Sequence, residues 1–164
     1  MFWKQRLKEH TKKEVNNLAK KINKMEIKIA STDDEILKCY DVLKVLRPHL
    51  EFDSFVPIVK EMITEGYQLA FIEESRNAVA AIGFRYLQFL YNGKHYYIDD
   101  LCTLPEARGK GYGGMLLDYV IELARKNGYK TVTLDSGYVR HDAHRLYLNK
   151  DFTLNCHHFL KAIE

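Results

Sequence analysis

The sequence is poor in cysteine: of its 164 residues only Cys39, Cys102 and Cys156 carry a thiol. Their number is odd, and no pair has the CxxC or CxxH spacing of a metal-binding knuckle. A disulfide framework or a zinc knuckle is therefore not expected, and the composition suits a reducing compartment. We interpret the three cysteines as small buried hydrophobic residues.

Long apolar runs are also absent. No stretch approaches the roughly 18–20 apolar residues that a membrane-spanning helix requires. Met1-Phe2-Trp3 is followed by charged residues rather than by the apolar core of a secretion signal. The sequence therefore predicts a cytoplasmic protein without a transmembrane segment.

A strong excess of one charge sign is missing as well, because 25 Lys and Arg against 22 Asp and Glu give a formal net charge of +3. So small an excess predicts no specific binding to nucleic acid. The length and the 46% hydrophobic content fit one globular domain. The charge is nevertheless uneven: residues 1–24 contain eight Lys or Arg and two Glu, a net +6, which leaves −3 for residues 25–164.

Residues 1–24 have the pattern of a basic amphipathic helix with one narrow apolar stripe. Its apolar residues recur at spacings of three and four: Trp3, Leu7, Val15, Leu18, Ala19 and Ile22. Such an extension can dock on its own domain or on a sister subunit, which would give a homodimer. Attachment to an anionic membrane or nucleic acid, and a partly disordered arm, are the alternatives.

Residues 25–164 show the pattern of a mixed α+β domain built around one sheet. A strand over residues 26–30 precedes a helix that begins near Asp33 and ends at Pro48. Asn92-Gly93 is a strong hairpin signal between two extended runs. The other predicted elements are a helix over 54–65, strands over 68–74, 78–91 and 95–103, a helix ending at Gly128, a strand over 131–134, a helix over 142–149 capped by Asp142, and a last strand over 153–160.

A glycine-rich loop, Arg108-Gly109-Lys110-Gly111-Tyr112-Gly113-Gly114, stands at a strand-to-helix junction. A loop of this kind presents unpaired backbone N–H groups at the positive end of the helix dipole, which is a site for phosphate. Glycine lets the backbone approach the anion, and Arg108 and Lys110 add positive charge. A flexible turn without a ligand is the alternative, which the concentration of glycines disfavours.

The same letters spell GxGxxG through Gly109, Gly111 and Gly114, and Asp135 follows 21 residues after Gly114. That is the spacing of the dinucleotide-binding fingerprint. Three features argue against it: five residues separate the first glycine, Gly109, from its strand, the preceding strands are predicted to be antiparallel, and only 29 residues follow Asp135. No GxxxxGK[ST] sequence is present, so a P-loop is not supported.

The pattern Arg-x-x-Gly-x-Gly between a strand and a helix instead resembles the acyl-CoA pyrophosphate loop of the GNAT superfamily of N-acyltransferases. Residues 97–106 are similar to the family's fourth strand and its exit, and residues 147–152 to its Tyr-x-x-x-Gly-Phe element. The resemblance covers about residues 25–160. It implies a GNAT-like fold, with a central, mostly antiparallel sheet flanked by helices and an extra basic helix at the N-terminus.

Two residues depart from the family pattern. Asp151 replaces a glycine at a position that we expect to need a positive φ, which Asp tolerates at modest cost. Arg140 stands where many members have an asparagine that contacts the pantetheine arm, which puts that contact in doubt.

The resemblance implies transfer of an acetyl or other acyl group from acetyl-CoA to a primary amine by direct attack, without a metal. A small molecule or a peptide would supply the amine. The implied cofactor contacts are Leu101, Cys102, Thr103, Arg108, Gly109, Lys110, Gly111, Tyr112, Gly113 and Gly114. A regulatory module of the same fold that binds acyl-CoA without turnover is the alternative.

The reaction needs a base, because only about one lysine-like amine in a few thousand is deprotonated at neutral pH. Strand alternation predicts that Asp99 and Asp100 lie on opposite faces of the sheet. The resemblance favours Asp99 as the base, while Asp100 can attract a cationic amine. Arg47, between two early helices, is predicted to bind an anionic part of the acceptor; stabilisation of a helix C-terminus is the alternative.

The reaction also needs a donor for the thioester oxygen and a proton for the CoA thiolate. The resemblance assigns the donors to backbone N–H groups at a bulge over residues 101–103 and the acid to Tyr147, for which a plain packing role is the alternative. A covalent intermediate on Cys102 is disfavoured, because no base is evident beside it. His141 and His144 lack an identifiable third metal ligand.

Overall fold

The computed structural model describes residues 26–163. The predicted basic helix of residues 1–24, and any homodimer formed through it, lie outside these residues. The elements follow in the order β1 (Ile27–Ile29), α1 (Asp33–Lys38), α2 (Tyr40–Leu46), α3 (Phe52–Thr64), β2 (Tyr67–Glu74), β3 (Asn77–Phe89), β4 (Gly93–Thr103), a 3₁₀ turn (Pro105–Ala107), α4 (Tyr112–Lys126), β5 (Thr131–Leu134) and α5 (His141–Leu148).

The five strands form one sheet in chain order, β1-β2-β3-β4-β5. The first four strands are antiparallel to their neighbours, and β5 runs parallel to β4. The hairpin predicted from Asn92-Gly93 is confirmed, since Asn92 lies in the turn after β3 and Gly93 begins β4. A second hairpin joins β2 to β3 through Ser75 and Arg76, both at positive φ. The mixed α+β class and the mostly antiparallel sheet are thus confirmed.

The first predicted helix is split into α1 and α2. Thr32 and Glu35 form a capping box at the start of α1. Hydrogen bonds from the backbone N–H and the hydroxyl of Ser31, and from the backbone N–H of Thr32, lower the pKa of Glu35 to about 2. At Cys39 the backbone N–H bonds the carbonyls of Ile36 and Leu37, so the chain leaves the α-helix by a tighter turn before α2 begins. Apolar periodicity continues through this break, which is why the sequence predicts one helix.

Two predictions near the C-terminus are wrong. Residues 153–160 form no strand and pair with no strand among the described residues; Leu154 and Phe159 are 92% and 90% exposed, so alternation in the sequence is not matched by burial. Asp142 does not cap α5, which begins one residue earlier with Arg140 as its N-cap. Asp142 lies in the first helical turn, where the helix dipole also favours an acid.

The sheet separates two apolar cores. One lies between the sheet and α4 and includes Phe84, Leu116 and Val120. The other lies between the opposite face and α1–α3 and includes Phe55 and Phe71. Both faces of the central strand β3 are therefore covered over its first half, which holds β4 in a fixed position between the two layers.

The ends of β4 and β5 create the opening of the fold. These strands pair only from His95–Thr131 to Ile98–Leu134. Beyond Ile98, β4 continues for five residues to Thr103 without β5 beside it. Its edge is exposed there between α2, α4 and α5, where the predicted functional residues of the strand lie.

Candidate active site

A cleft of about 920 Å³ opens where β4 and β5 part. It is bounded by the end of α2, the last residues of β4, the glycine-rich loop and α5. Nine of the ten residues predicted to bind the cofactor line it, and so does Tyr147. The nine are Leu101, Cys102, Thr103, Arg108, Gly109, Gly111, Tyr112, Gly113 and Gly114.

The glycine-rich loop presents backbone donors to this cleft. Gly111 is the N-cap of α4 with φ 85°, a left-handed conformation that favours glycine, and it provides no side-chain cap. The first helical hydrogen bond runs from the N–H of Met115 to the carbonyl of Gly111, 3.1 Å away. The preceding N–H groups of Tyr112, Gly113 and Gly114 have no acceptor within the helix. This end of the cleft thus has backbone donors whose geometry suits an anion.

Lys110 is the predicted cofactor residue that does not line the cleft. Its ammonium lies 2.8 Å from a carboxylate oxygen of Glu74 at the end of β2. The hydroxyl of Tyr112 donates to the other oxygen of the same carboxylate. This ion pair ties the glycine-rich loop to the sheet, and cofactor binding by Lys110 stays a prediction.

Two further arginines add positive charge to the cleft. Arg140 and Arg145, at the start and in the middle of α5, line it together with Arg108. Arg145 also pairs with Asp142 one turn earlier on the helix. The departure at residue 140 therefore replaces a neutral amide of the family pattern by a cation facing the same cleft.

The last residues of β4 offer backbone N–H groups at the strand edge. The N–H of Leu104 donates to the carbonyl of Val79 in β3, 2.9 Å away. In an antiparallel ladder the direction of the backbone N–H groups alternates along the strand. The N–H of Cys102 therefore faces β3, whereas the N–H groups of Leu101 and Thr103 point to the open side. Two backbone donors therefore face the cleft.

The bulge in β4 lies two residues before the start of the range predicted for it, 101–103. Gly83 pairs with Asp100 but Phe84 pairs with Ile98, so Asp99 is the extra residue in β4. Residues 101–103 pair regularly with residues 80–82. The bulge thus alters the strand at the acidic pair and leaves the cofactor-facing part of β4 regular.

The prediction that Asp99 and Asp100 lie on opposite faces is wrong, because the bulge breaks the alternation. The hydroxyl of Tyr67 donates to Asp100 over 3.0 Å, and the guanidinium of Arg85 lies 5.5 Å from the centre of the same tyrosine ring. Arg85 in turn binds both carboxylate oxygens of Asp99 at 3.0–3.1 Å. Both acids therefore belong to one polar cluster.

Arg47 completes this group, which we call the acceptor cluster: Arg47, Tyr67, Arg85, Asp99 and Asp100. Arg47 ends α2, and its Nε lies 3.0 Å from Asp100 Oδ1. Its Nη2 donates to the backbone carbonyl of Asp99 over 3.1 Å, at the residue that the bulge displaces. The predicted acceptor residues Arg47 and Asp100 are thus brought into direct contact.

Burial governs the titration of the site. It raises the pKa of Asp99 above its ordinary value, although Arg85 acts in the opposite direction. Burial also raises the pKa of Tyr147, against a smaller effect of Arg140, so this phenol carries its proton at neutral pH. The pKa of the Cys102 thiol is raised for the same reason, which lowers its thiolate fraction.

Two members of the acceptor cluster, Tyr67 and Arg85, were missed by the sequence reasoning. A signal for Arg85 exists, because counting outward from the Asn92-Gly93 turn places it opposite Tyr97, two residues from Asp99. Tyr67 carries no comparable signal, because its contact with Asp100 crosses β3 at Gly83.

Within residues 26–163, no group of three or more His, Cys, Asp or Glu side chains could hold a metal ion. Nor is any helix in that part of the chain long and apolar enough to cross a membrane.

The comparisons with known proteins agree with this geometry. The profile described as Acetyltransferase (GNAT) family matches residues 33–152. The uncharacterized N-acetyltransferase YhdJ of Bacillus subtilis (strain 168) is 33% identical over 141 residues, which are 85% of this chain and 99% of that relative. The chain is thus similar to acyltransferases along most of its length. It belongs to the GNAT acetyltransferase family, and it is an enzyme of the acyltransferase class.

Two further matches bear on substrate and fold. The aminoalkylphosphonate N-acetyltransferase of Salmonella typhimurium is 36% identical over 66 residues, which are 40% of this chain and 43% of that protein. A solved structure described as a transcriptional regulator from Bacillus halodurans C-125 superposes with a TM-score of 0.74 at 24% identity, covering 85% of this chain and 99% of that one. The latter shows a shared fold alone.

Proposed function

We propose that this enzyme transfers the acetyl group of acetyl-CoA to the primary amine of a small molecule by direct attack. The observation that carries the proposal is the cleft itself. One continuous opening joins the N-terminus of α4, the open edge of β4 and the side chain of Tyr147. A thioester, its diphosphate and a proton donor would each meet a suitable group along it.

Cofactor binding would use the positive end of the cleft. The N–H groups at the start of α4, which have no acceptor within the helix, face the position proposed for the diphosphate. The cations Arg108, Arg140 and Arg145 line the same end of the cleft. Toward the other end, the N–H groups of Leu101 and Thr103 would bind the pantetheine arm and the thioester oxygen. A donor there stabilises the charge that develops as the carbonyl becomes tetrahedral.

Asp99 is proposed as the base that receives the amine proton, directly or through a water molecule. Both oxygens of Asp100 already have separate partners, Arg47 and Tyr67. Asp99 shares its two oxygens with the single Nε of Arg85 and so retains acceptor capacity. Its raised pKa makes it a better proton acceptor than an ordinary aspartate. The structure thereby favours a supporting role for Asp100.

Tyr147 is proposed as the acid that protonates the departing CoA thiolate. Its hydroxyl belongs to a side chain that lines the cleft, and its raised pKa keeps the proton in place until the thiolate forms. A covalent route through Cys102 is not supported, because burial raises the pKa of its thiol. Within residues 26–163 its sulfur hydrogen-bonds only the carbonyl of Thr103, 3.8 Å away.

The acceptor is proposed to be a small amine, as the name of the Salmonella typhimurium relative indicates for that protein. A cytoplasmic location is proposed from the low cysteine content, with Cys39 and Cys102 present as buried free thiols.

Thiol release from acetyl-CoA, measured with a panel of primary amines, tests the proposal. We expect release that depends on the amine, with the acetylated amine identified by mass spectrometry. Binding of acetyl-CoA without release in the presence of any amine would instead support the non-catalytic alternative. Amine-dependent release should fall strongly in Tyr147→Phe, which removes the proposed acid. Tyr138→Phe is the matched control, because Tyr138 is 81% exposed.

A further inference from the structure

The charge of the acceptor cluster differs from what the acidic pair alone suggests. In the sequence, the adjacent carboxylates of Asp99 and Asp100 indicate an acidic site, and an acidic site favours a cationic acceptor. In the fold each carboxylate is paired with an arginine, Asp99 with Arg85 and Asp100 with Arg47. Two negative and two positive charges leave the cluster neutral, so attraction of a simple cation no longer follows.

Each arginine is bound along one edge only. Arg47 uses Nε and Nη2 for Asp100 and for the backbone carbonyl of Asp99. Arg85 uses Nε for Asp99. Within the described residues, Nη1 of Arg47 and both Nη atoms of Arg85 donate no hydrogen bond. The side chains of Arg47 and Arg85 remain 43% and 22% exposed, so each is partly accessible to a ligand.

The two guanidinium groups are also held in place, which lowers the entropy lost on binding a ligand. Arg85 lies over the ring of Tyr67, which is 2% exposed. The ring fits there because Gly83 has no side chain: a Cβ at that position would lie 1.8 Å from the tyrosine hydroxyl oxygen. Both arginines meet at Asp99, one on its backbone and one on its carboxylate.

We propose that the free edges of Arg47 and Arg85 form a binding site for an anionic group of the acceptor, which is therefore an amine carrying a carboxylate, phosphonate or phosphate. The ammonium group of such a zwitterion would lie toward Asp99 and its anion toward the arginines. A cationic acceptor would meet both guanidinium groups, and Glu65 supplies only a longer-range negative charge to Arg85. The inference rests on the proposed function and specifies its substrate class.

Matched acceptors test the inference. β-Alanine and aminoethylphosphonate carry an anion, ethanolamine a neutral hydroxyl, and putrescine a second cation. We expect kcat/KM for the anionic acceptors to exceed that for ethanolamine by about 10- to 100-fold, the range for a charge-assisted hydrogen bond. The ratio of kcat/KM between anionic and neutral acceptors is the readout, because a change in Asp99 basicity affects both and cancels.

Arg85→Gln and Arg47→Gln should each reduce this ratio by about tenfold or more, and Arg85→Lys should restore part of it. Arg125→Gln is the matched control, since Arg125 pairs with Glu122 on α4, remote from the cluster. Turnover with no preference for anionic acceptors, or a ratio unchanged in both arginine variants, would overturn the inference while the proposed function stands.

Binding of methylphosphonate, which has no amine, provides a second test that needs no turnover. It is titrated calorimetrically into the full chain with coenzyme A at saturation, so that the glycine-rich loop is occupied. We expect binding that weakens about tenfold in Arg85→Gln and is retained in Arg125→Gln. Absence of binding, or equal binding by both variants, contradicts the anion site. If no amine is acetylated at all, the proposed function fails, and this titration alone decides the anion site.

Discussion

Gly83 is the position where the structure predicts the largest effect from the smallest change. An alanine Cβ there would lie 1.8 Å from Oη, 2.3 Å from Cζ and 2.6 Å from Cε2 of Tyr67. The ring is buried in the core with Leu69 and Phe71 and cannot simply turn into solvent. Gly83→Ala must therefore displace Tyr67 and break its bond to Asp100.

The expected loss of stability is the sum of two effects. Overpacking a core costs about 1–3 kcal/mol. Loss of a hydrogen bond to a charged group costs about 1.5–3 kcal/mol more. We expect Gly83→Ala to lower the free energy of unfolding in urea by about 2.5–6 kcal/mol, and Tm by about 5–24 °C.

A double-mutant cycle separates this mechanism from a general intolerance of β3 to substitution. Tyr67→Leu removes all three atoms that the new methyl group would meet, so Gly83→Ala should cost about 1 kcal/mol or less in that background. Gly137→Ala, where no atom lies within 4 Å of the added Cβ, is the control for glycine replacement itself. A cost below about 1 kcal/mol in the wild-type background, or equal costs in both backgrounds, would refute the reasoning.

Three further predictions concern catalysis. Tyr147→Phe should lower kcat by roughly 10- to 1,000-fold with an unchanged Kd for coenzyme A, and Tyr138→Phe should change neither constant. A loss of coenzyme affinity in Tyr147→Phe that parallels the loss of kcat would indicate a packing role for Tyr147. Gly111→Val, at φ 85°, should abolish coenzyme binding. Gly128→Val, at φ 71° beyond the other end of α4, should strain the fold equally but retain coenzyme binding. Comparable calorimetric affinities for coenzyme A in the two variants would contradict the loop assignment. The base Asp99 must be deprotonated to act, so kcat/KM should rise with pH through its raised pKa, and Asp99→Asn should remove that acidic limb; its persistence in the variant would exclude Asp99 as the base.

The local signals in the sequence predict most of the fold and the cofactor side of the cleft. Asn92-Gly93 forms the hairpin that it encodes, and Gly109 and Gly111 have the positive φ expected of a loop that opens onto a helix. Asp151, predicted to stand in place of a glycine at positive φ, has φ 60°. Each of these features depends on residues adjacent in the chain, where turn chemistry and helix termini leave a pattern.

The acceptor cluster could not be predicted to the same extent, because it depends on contacts across strands. A single extra residue at Asp99 moves one carboxylate to the other face of the sheet, and alternation in the sequence carries no mark of it. Tyr67 reaches Asp100 across β3, passing over Gly83. Nothing in the sequence around Gly83 indicates that its missing side chain makes room for this contact. The strand predicted over 153–160 fails for a related reason, since alternation predicts a strand only where a partner and a covering layer exist.

The central claim is that one cleft binds acetyl-CoA and passes its acetyl group to an amine beside the acceptor cluster. Its most direct test is steady-state release of the CoA thiol by the full chain, with β-alanine or aminoethylphosphonate as acceptor. We predict amine-dependent release, with the N-acetylated acceptor as the product and a strong loss of rate in Tyr147→Phe. Tight binding of acetyl-CoA with no amine-dependent release for any acceptor in the panel would contradict the account.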